Sequence, residues 1–494
     1  MVAVAYIDPG NYATDVAAGA SYRFRLLFIV LLSNIFAIFL QSLAIKLGTV
    51  SGLNLAEACR AFLPRWINYA LYFMAEATII ATDIAEVIGT AIALNLLVPQ
   101  IPLVAGCALS ILEVMAILFF YNPNGTMRGL RVFEFSVMIL VLAVVVCFCV
   151  QLSLIQDTSV DEVFKGYLPS AVLIEQRALY QACGILGATV MPHSLYLGSG
   201  IVQARLFDFD SKSGLLPPLP HLQSAASSTN DGSHSSNKTY MPSLAAIRHS
   251  LKYSVAELVI SLFTFALFVN SAILIVAGAS LFGTPRAEEA DLFGIHALLS
   301  SSIGPVAGTV FALALLFSGM SAGIVCTIAG QMVSEGALNW TMKPWLRRLI
   351  TRSISILPSI VIAAAVGREG LDAALNGSQV ALSVVLPFVT APLIYFTSVN
   401  KYMTVRPGMA RYVVHGGWGD DEETGPRDLD AGSEASSTRG LLGRVQSWLR
   451  VNDSAGRMDI RMANSWWVAG LGIFVWVIIT VMDVANLVLL AKGT

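Results

Sequence analysis

The chain is poor in charge. Only 13% of its 494 residues are Asp, Glu, Lys or Arg, and the mean hydropathy is +0.70. A soluble domain carries about 25% charged residues, so an ordinary globular protein is excluded. Basic tracts are missing and the formal net charge is −2, which leaves nothing to attract nucleic acid. Histidine is scarce. Of the six, only His193 falls inside an apolar run, with His296 beside another. That argues against a His-rich, open metalloenzyme centre. There are six cysteines, Cys59, Cys107, Cys147, Cys149, Cys183 and Cys326. Five lie in apolar segments and Cys59 is expected in a short cytosolic loop, so no disulfide framework is indicated. The first residues lack a basic n-region and a small-residue cleavage site, so no cleavable signal peptide is expected. Strict polar/apolar alternation is also missing, which excludes barrel strands.

What is present is a series of long apolar runs. A hydrocarbon core about 30 Å thick needs roughly 20 apolar residues of helix. By that measure eleven spans are expected, near 1–20, 26–47, 69–97, 101–120, 132–155, 179–204, 252–279, 305–333, 349–366, 373–398 and 464–490. With the N-terminus in the cytosol, 23 of the 30 Lys and Arg fall on the cytosolic side, as the positive-inside bias requires. The other seven are Arg23, Arg25, Lys165, Arg177, Arg286, Arg368 and Lys492. Asn124, Asn237 and Asn452 head glycosylation sequons that would then face the cytosol. Residues 206–247 are rich in Ser, Pro and Asn, and residues 401–462 carry Asp420-Asp421-Glu422-Glu423 with many Ser and Gly; both are expected to form disordered cytosolic loops. The spans divide as a first five-helix unit (1–178), a second (179–400) and one further helix (463–494).

Two of these runs are interrupted. The first contains Asp8-Pro9-Gly10-Asn11 and the second Met191-Pro192-His193. Proline removes a backbone donor and clashes with the preceding turn. In hydrocarbon the freed backbone groups must line a cavity or find a partner. Asp-Pro-Gly-Asn is an ordinary turn in a soluble protein. Inside a span, an ionisable residue marks a pathway more often than a turn. Each break falls in the first helix of its five-helix unit. Interrupted helices at corresponding places in two halves point to a transporter binding site. Asp8 and Asn11 offer hard oxygen ligands, as does the Ala5 carbonyl before the break, and Met191 offers a soft thioether. Oxygens alone would suit Mg²⁺ or Ca²⁺; sulfur tilts the set toward Mn²⁺, Fe²⁺ and later transition metals. Asp83 and Glu86, three apart in a span, share a helix face and form a candidate proton-carrying pair. The plainer reading is a polar pair that joins helices. Glu113, Asn270 and Asp483 are read as interhelical contacts, and Glu134 and Glu257 as side chains reaching the interface.

The paired signatures resemble those of the Nramp (natural resistance-associated macrophage protein) divalent-metal transporters. So do the spacing Ala188-x-x-Met191-Pro192-His193, the run Thr82-Asp83-Ile84-Ala85-Glu86, Gly330-Gln331-x-x-Ser334-Glu335-Gly336 and Ser378-Gln379-x-x-Leu382-Ser383-x-x-Leu386-Pro387-Phe388. The resemblance covers residues 1 to about 400, outside the 206–247 loop. It implies an all-α membrane fold of the LeuT-like inverted-repeat type, broken at Pro9, Gly10 and Pro192. It implies Asp8, Asn11 and Met191 as side-chain metal ligands, with the carbonyls of Ala5 and Ala188, and Gln379 in some conformations. It implies a proton route through His193, Asp83 and Glu86, with Arg205 and Arg352 further along. It is closest to fungal members, for which manganese is the usual substrate and iron the second.

The resulting expectation is a proton-coupled symporter of Mn²⁺ or Fe²⁺ toward the cytosol, embedded in the lipid of a plasma, endosomal or vacuolar membrane. It is not an enzyme, and it needs no cofactor beyond the transported metal and the coupling proton. A metal-sensing receptor on the same fold is the rival from another class. A sodium-coupled amino-acid carrier would share the architecture but not the thioether. Only seven residues precede Asp8, about 10 Å of helix, so a longer native N-terminus is expected.

Overall fold

The computed structural model describes Tyr6, residues 8–120, a scatter of residues between 135 and 155, then 158–216, 238–283, 291–302, 304–338, 344–414, 427–428 and 459–492. Within these residues the architecture is almost wholly helical. The helices are α1 (Pro9–Tyr22), α2 (Leu27–Ser51), α3 (Leu55–Phe62), α4 (Arg65–Leu97), α5 (Leu103–Phe120), α6 (Val160–Lys165), α7 (Gln176–Thr189) and α8 (Pro192–Lys212). They continue as α9 (Leu244–Ser261), α10 (Leu267–Ser280), α11 (Leu292–Ser302), α12 (Pro305–Leu338), α13 (Pro344–Ala365), α14 (Arg368–Ser398) and α15 (Trp466–Lys492).

Among the described residues, seven stretches are long and apolar enough to cross a membrane: Leu27–Ser51, Arg65–Leu97, Gln176–Lys212, Leu244–Ser280, Pro305–Leu338, Arg368–Ser398 and Trp466–Lys492. Shorter apolar helices occupy Leu103–Leu112, Leu292–Ser301 and Leu349–Ala365. The first expected span is the 14-residue α1, a half-helix by length. Of the fifth, near 132–155, the residues that are described are almost all helical; the asparagines of the three sequons lie outside the described residues. Among the membrane-length helices, α15 is the outermost, with Trp466, Phe474, Val481 and Val484 exposed. Its buried stripe, including Val475 and Ile479, packs against α14. There Trp476 Nε1 donates to the Pro387 carbonyl at 2.8 Å.

Two expectations about the connections need correction. The 206–247 segment is helical to Lys212 and resumes as a strand at Lys238–Met241. Its described ends meet where Asp210, buried in α8, accepts hydrogen bonds from Tyr240 and from the backbone and hydroxyl of Ser243. Similarly, residues 401–462 include strands. Arg411–Val414 pairs antiparallel with Lys238–Met241, and Thr404–Val405 with Ile460–Arg461. Composition marked both segments as unable to build a core, but short strands need only a partner backbone. Cys59 sits in α3, not in a loop. That helix is closed by a capping box, in which Asn54 accepts from the Glu57 N–H and Glu57 accepts from the Asn54 N–H.

Candidate metal centre

The two breaks are built from the sequence in the same way. Pro9 stands at the first position of α1, where its missing N–H costs nothing. Asp8, in extended conformation, caps the helix by accepting from the Asn11 N–H at 2.8 Å. α7 ends at Thr189; Val190 and Met191 leave helical geometry, and Pro192 starts α8. A methionine has no side-chain oxygen with which to cap a helix, so the Met191 thioether stays uncommitted to the α8 backbone.

Asn11 holds the breaks together. Its side-chain N–H donates to Asp8 Oδ1 at 2.8 Å and to the Ala188 carbonyl at 3.1 Å, 177 residues away. Its Oδ1 accepts from Asn270 Nδ2 at 3.4 Å and from the Thr189 hydroxyl at 3.5 Å. Asp8, Asn11, Met191 and Ala188 are all buried. Asp8 Oδ2 has no hydrogen-bond partner among the described residues. A carboxylate oxygen left alone in such a place is costly, by several kcal/mol in a dry setting. The carbonyl end of α7 adds the negative end of a helix dipole.

Gln379 of α14 closes over the break. A Cβ on Gly10 would stand 2.3 Å from Gln379 Nε2, so only glycine permits this approach. Pro9 in turn fits against Gly89 of α4, where a Cβ would come within 2.3 Å of the ring. A cavity of about 890 Å³ approaches the break. Its lining runs from Arg177, Asp291 and Arg368 down to Thr14 and Gly184. Thr14 is one turn beyond Gly10, whose carbonyl accepts its hydroxyl at 3.0 Å.

Beside this centre lies a buried charged cluster. His193, at the start of α8, brings Nδ1 within 3.5 Å of the Thr82 hydroxyl. The next residue along α4 is Asp83, whose Oδ1 accepts from Arg352 Nη1 at 3.0 Å. The same nitrogen donates to Glu86 Oε2 at 3.1 Å. Ser355, one turn on from Arg352 in α13, donates to Asp83 Oδ2 at 3.2 Å.

Residues 1–412 match the family model described as natural resistance-associated macrophage protein-like. The chain belongs to the Nramp family. It is 49% identical to the manganese transporter SMF1 of Saccharomyces cerevisiae, over all of this chain and 84% of that protein. It is 53% identical to the manganese transporter pdt1 of Schizosaccharomyces pombe, over 82% of this chain and 75% of that one. It is also 53% identical to the iron transporter SMF3 of S. cerevisiae, over 82% and 81%. Among solved structures, the Eremococcus coleocola manganese transporter, in complex with an aromatic bis-isothiourea compound, superposes with a TM-score of 0.71. It is 28% identical, covering 98% of this chain and 83% of that one. These relatives are transporters, not enzymes.

In this Nramp chain the structure gathers Asp8, Asn11, Ala188, Gln379, Pro9 and Gly10 at one place, with Met191 and Pro192 at the paired break. The Ala5 carbonyl lies outside the described residues. Asp83, Glu86 and Arg352 follow as one hydrogen-bonded group, and His193 reaches Thr82, the neighbour of Asp83 in the chain. Arg205 does not join it. Its guanidinium pairs with Glu257 on the half-exposed flank of α8 and α9, separate from the pair that Arg352 bridges. Thr189 and the role of Asn270 were missed from sequence. A single polar residue in an apolar helix carries no periodic signal, and Asn270 is 259 positions from its partner.

Proposed function

We propose that the protein is a proton-coupled symporter that moves Mn²⁺ or Fe²⁺ toward the cytosol by alternating access. The observation that carries this reading is the unpartnered, buried Asp8 Oδ2 at the junction of two broken helices. A divalent cation there would take Asp8, Asn11 and the Ala188 carbonyl as hard ligands and Met191 as a soft one. The soft ligand favours Mn²⁺ and Fe²⁺ over Ca²⁺ and Mg²⁺. For Asn11 to coordinate, its Oδ1 releases Thr189 and Asn270, so metal entry is linked to movement of α1 against α7 and α10.

The contiguity of His193, Thr82, Asp83, Glu86 and Arg352 supports the proton route. Arg352 balances one of the two carboxylates, and a proton on the other would make the cluster neutral. A proton leaving the cluster as metal leaves the break would couple the two flows. The cavity that ends at Thr14 supports access from the side that carries Arg177 and Arg368, taken as the outer side from the distribution of basic residues. The names of the manganese and iron transporters above agree with the substrate class.

The test is Mn²⁺ uptake by the purified chain in proteoliposomes. Wild type should accumulate Mn²⁺ above protein-free vesicles, and Asp8→Ala should not. Equal uptake by both would overturn the assignment of the site.

A further inference from the structure

Cys326 of α12 has no part in the reading above. Its sulfur stands with the carboxylates of Asp83 and Glu86, the three ligand atoms all lying within 4.8 Å of one another. All three side chains are buried. The thiol donates to the Ile79 carbonyl at 3.6 Å. Glu86 is fully buried, yet its Oε1 has no hydrogen-bond partner among the described residues. The other oxygen, Oε2, faces Gly323, one turn before Cys326, where a Cβ would come within 3.1 Å. α12 therefore gives the Glu86 carboxylate room and places a thiol beside it.

We propose that Asp83, Glu86 and Cys326 form a second, inhibitory metal site that takes a thiophilic divalent cation of the Zn²⁺ class. One thiolate and two carboxylates, with a fourth position left for water, are a ligand set that Zn²⁺ accepts. At Zn–S and Zn–O distances of about 2.3 and 2.1 Å, tetrahedral ligands stand about 3.5 Å apart. The site must contract by about 1 Å, which the uncommitted Glu86 Oε1 allows by a small rotation. Arg352 does not block it. It donates to Asp83 Oδ1 and Glu86 Oε2, while Ser355 donates to Asp83 Oδ2, so Arg352 would stay on the ligand carboxylates as supporting groups around metals do.

Charge favours occupancy. Two carboxylates and one guanidinium leave a net charge of −1; a divalent cation with one thiolate adds +1. On binding, the Cys326 S–H bond breaks and a metal–sulfur bond forms. The proton leaves to solvent, and no electron is transferred. The site differs from the helix breaks in its elements, α4 and α12, and in its sulfur, a thiolate where the breaks present a thioether. An ion here would remove both carboxylates from proton movement and slow uptake without competing for Asp8. This last consequence rests on the proton-route reading; the binding itself does not.

The experiment is a Co²⁺ titration of the full chain in detergent, read by the near-ultraviolet thiolate-to-cobalt charge-transfer band. Carboxylates and thioethers give no such band. Wild type should reach a band intensity of one Co²⁺–thiolate bond per chain. Cys326→Ser should lose it, with Cys326→Ala as a second thiol-free variant and thermal unfolding to confirm that each folds. Glu86→Gln, which retains the thiol, should weaken Co²⁺ binding at least tenfold. No band in wild type, or an undiminished band without Cys326, would overturn the proposal. In proteoliposomes, Zn²⁺ should lower the maximal rate of Mn²⁺ uptake in wild type. A band that depends on Cys326 without that inhibition would uphold the site and contradict the proton-route reading.

Discussion

The Asn11 side chain donates to the Ala188 carbonyl at 3.1 Å, and this bond joins the two helix breaks directly. The same amide holds Asp8 at 2.8 Å. Asn11→Ala removes a proposed metal ligand and both of these bonds. Mn²⁺ affinity should fall at least tenfold, about 1.4 kcal/mol, in a calorimetric titration of the purified protein.

The Met191 thioether is the soft member of the set. Met191→Ala should still transport Mn²⁺ but should now take up Ca²⁺ as well. Parallel uptake of the two ions checks this; unchanged exclusion of Ca²⁺ would refute the selectivity argument.

Gly10 leaves no room for a side chain beneath Gln379. Gly10→Ala should therefore reduce Mn²⁺ uptake severely, and Gln379→Ala, which opens the space, should restore part of it in the double variant. No recovery in the double variant would place the defect elsewhere than in this contact.

Arg352 is buried between two carboxylates. Arg352→Met leaves them without this cation and should destabilise the fold by about 3–5 kcal/mol. Adding Asp83→Asn and Glu86→Gln should recover most of the thermal stability but not the transport. Arg205 differs. Its pair with Glu257 is exposed, so Arg205→Ala should change stability by about 1 kcal/mol or less. Thermal melts of both series make the comparison.

Glu57 lies in the α3 capping box, outside the membrane-length helices. Burial, the largest influence on it, raises its pKa above the ordinary 4.5, although the Asn54 N–H and Arg60 oppose this. A carboxyl raised on folding favours the fold fully below its unfolded value, and this contribution is lost as pH rises through the folded value. Glu57→Gln keeps an acceptor for Asn54 and does not titrate. Its melting temperature should gain on that of wild type between pH 4 and 7, and a constant difference would contradict the burial argument.

The breaks were legible because Asp8, Pro9 and Gly10 are costly inside an apolar run, and Met191-Pro192-His193 repeats the interruption in the second half. The shared face of Asp83 and Glu86 was legible from their spacing of three. Which arginine meets them was not. The resemblance offered Arg205 and Arg352 alike, and only the packing of α13 against α4 selects Arg352. Thr189, Asn270 and Cys326 were not legible as site residues. Each is one polar or sulfur-bearing residue in an apolar helix, and its meaning depends on a partner far along the chain. The strands near 240 and 411 were hidden for a related reason. Composition reports what a segment can bury, not which backbone it can pair with.

The central claim is coupling at the first break. The most direct measurement follows Mn²⁺ uptake and internal pH together in proteoliposomes, with and without an inward proton gradient, for wild type and Asp8→Ala. The account predicts that the gradient accelerates Mn²⁺ entry, that Mn²⁺ entry acidifies the lumen, and that Asp8→Ala abolishes the uptake. Mn²⁺ entry that ignores the gradient and leaves the internal pH unchanged would contradict it.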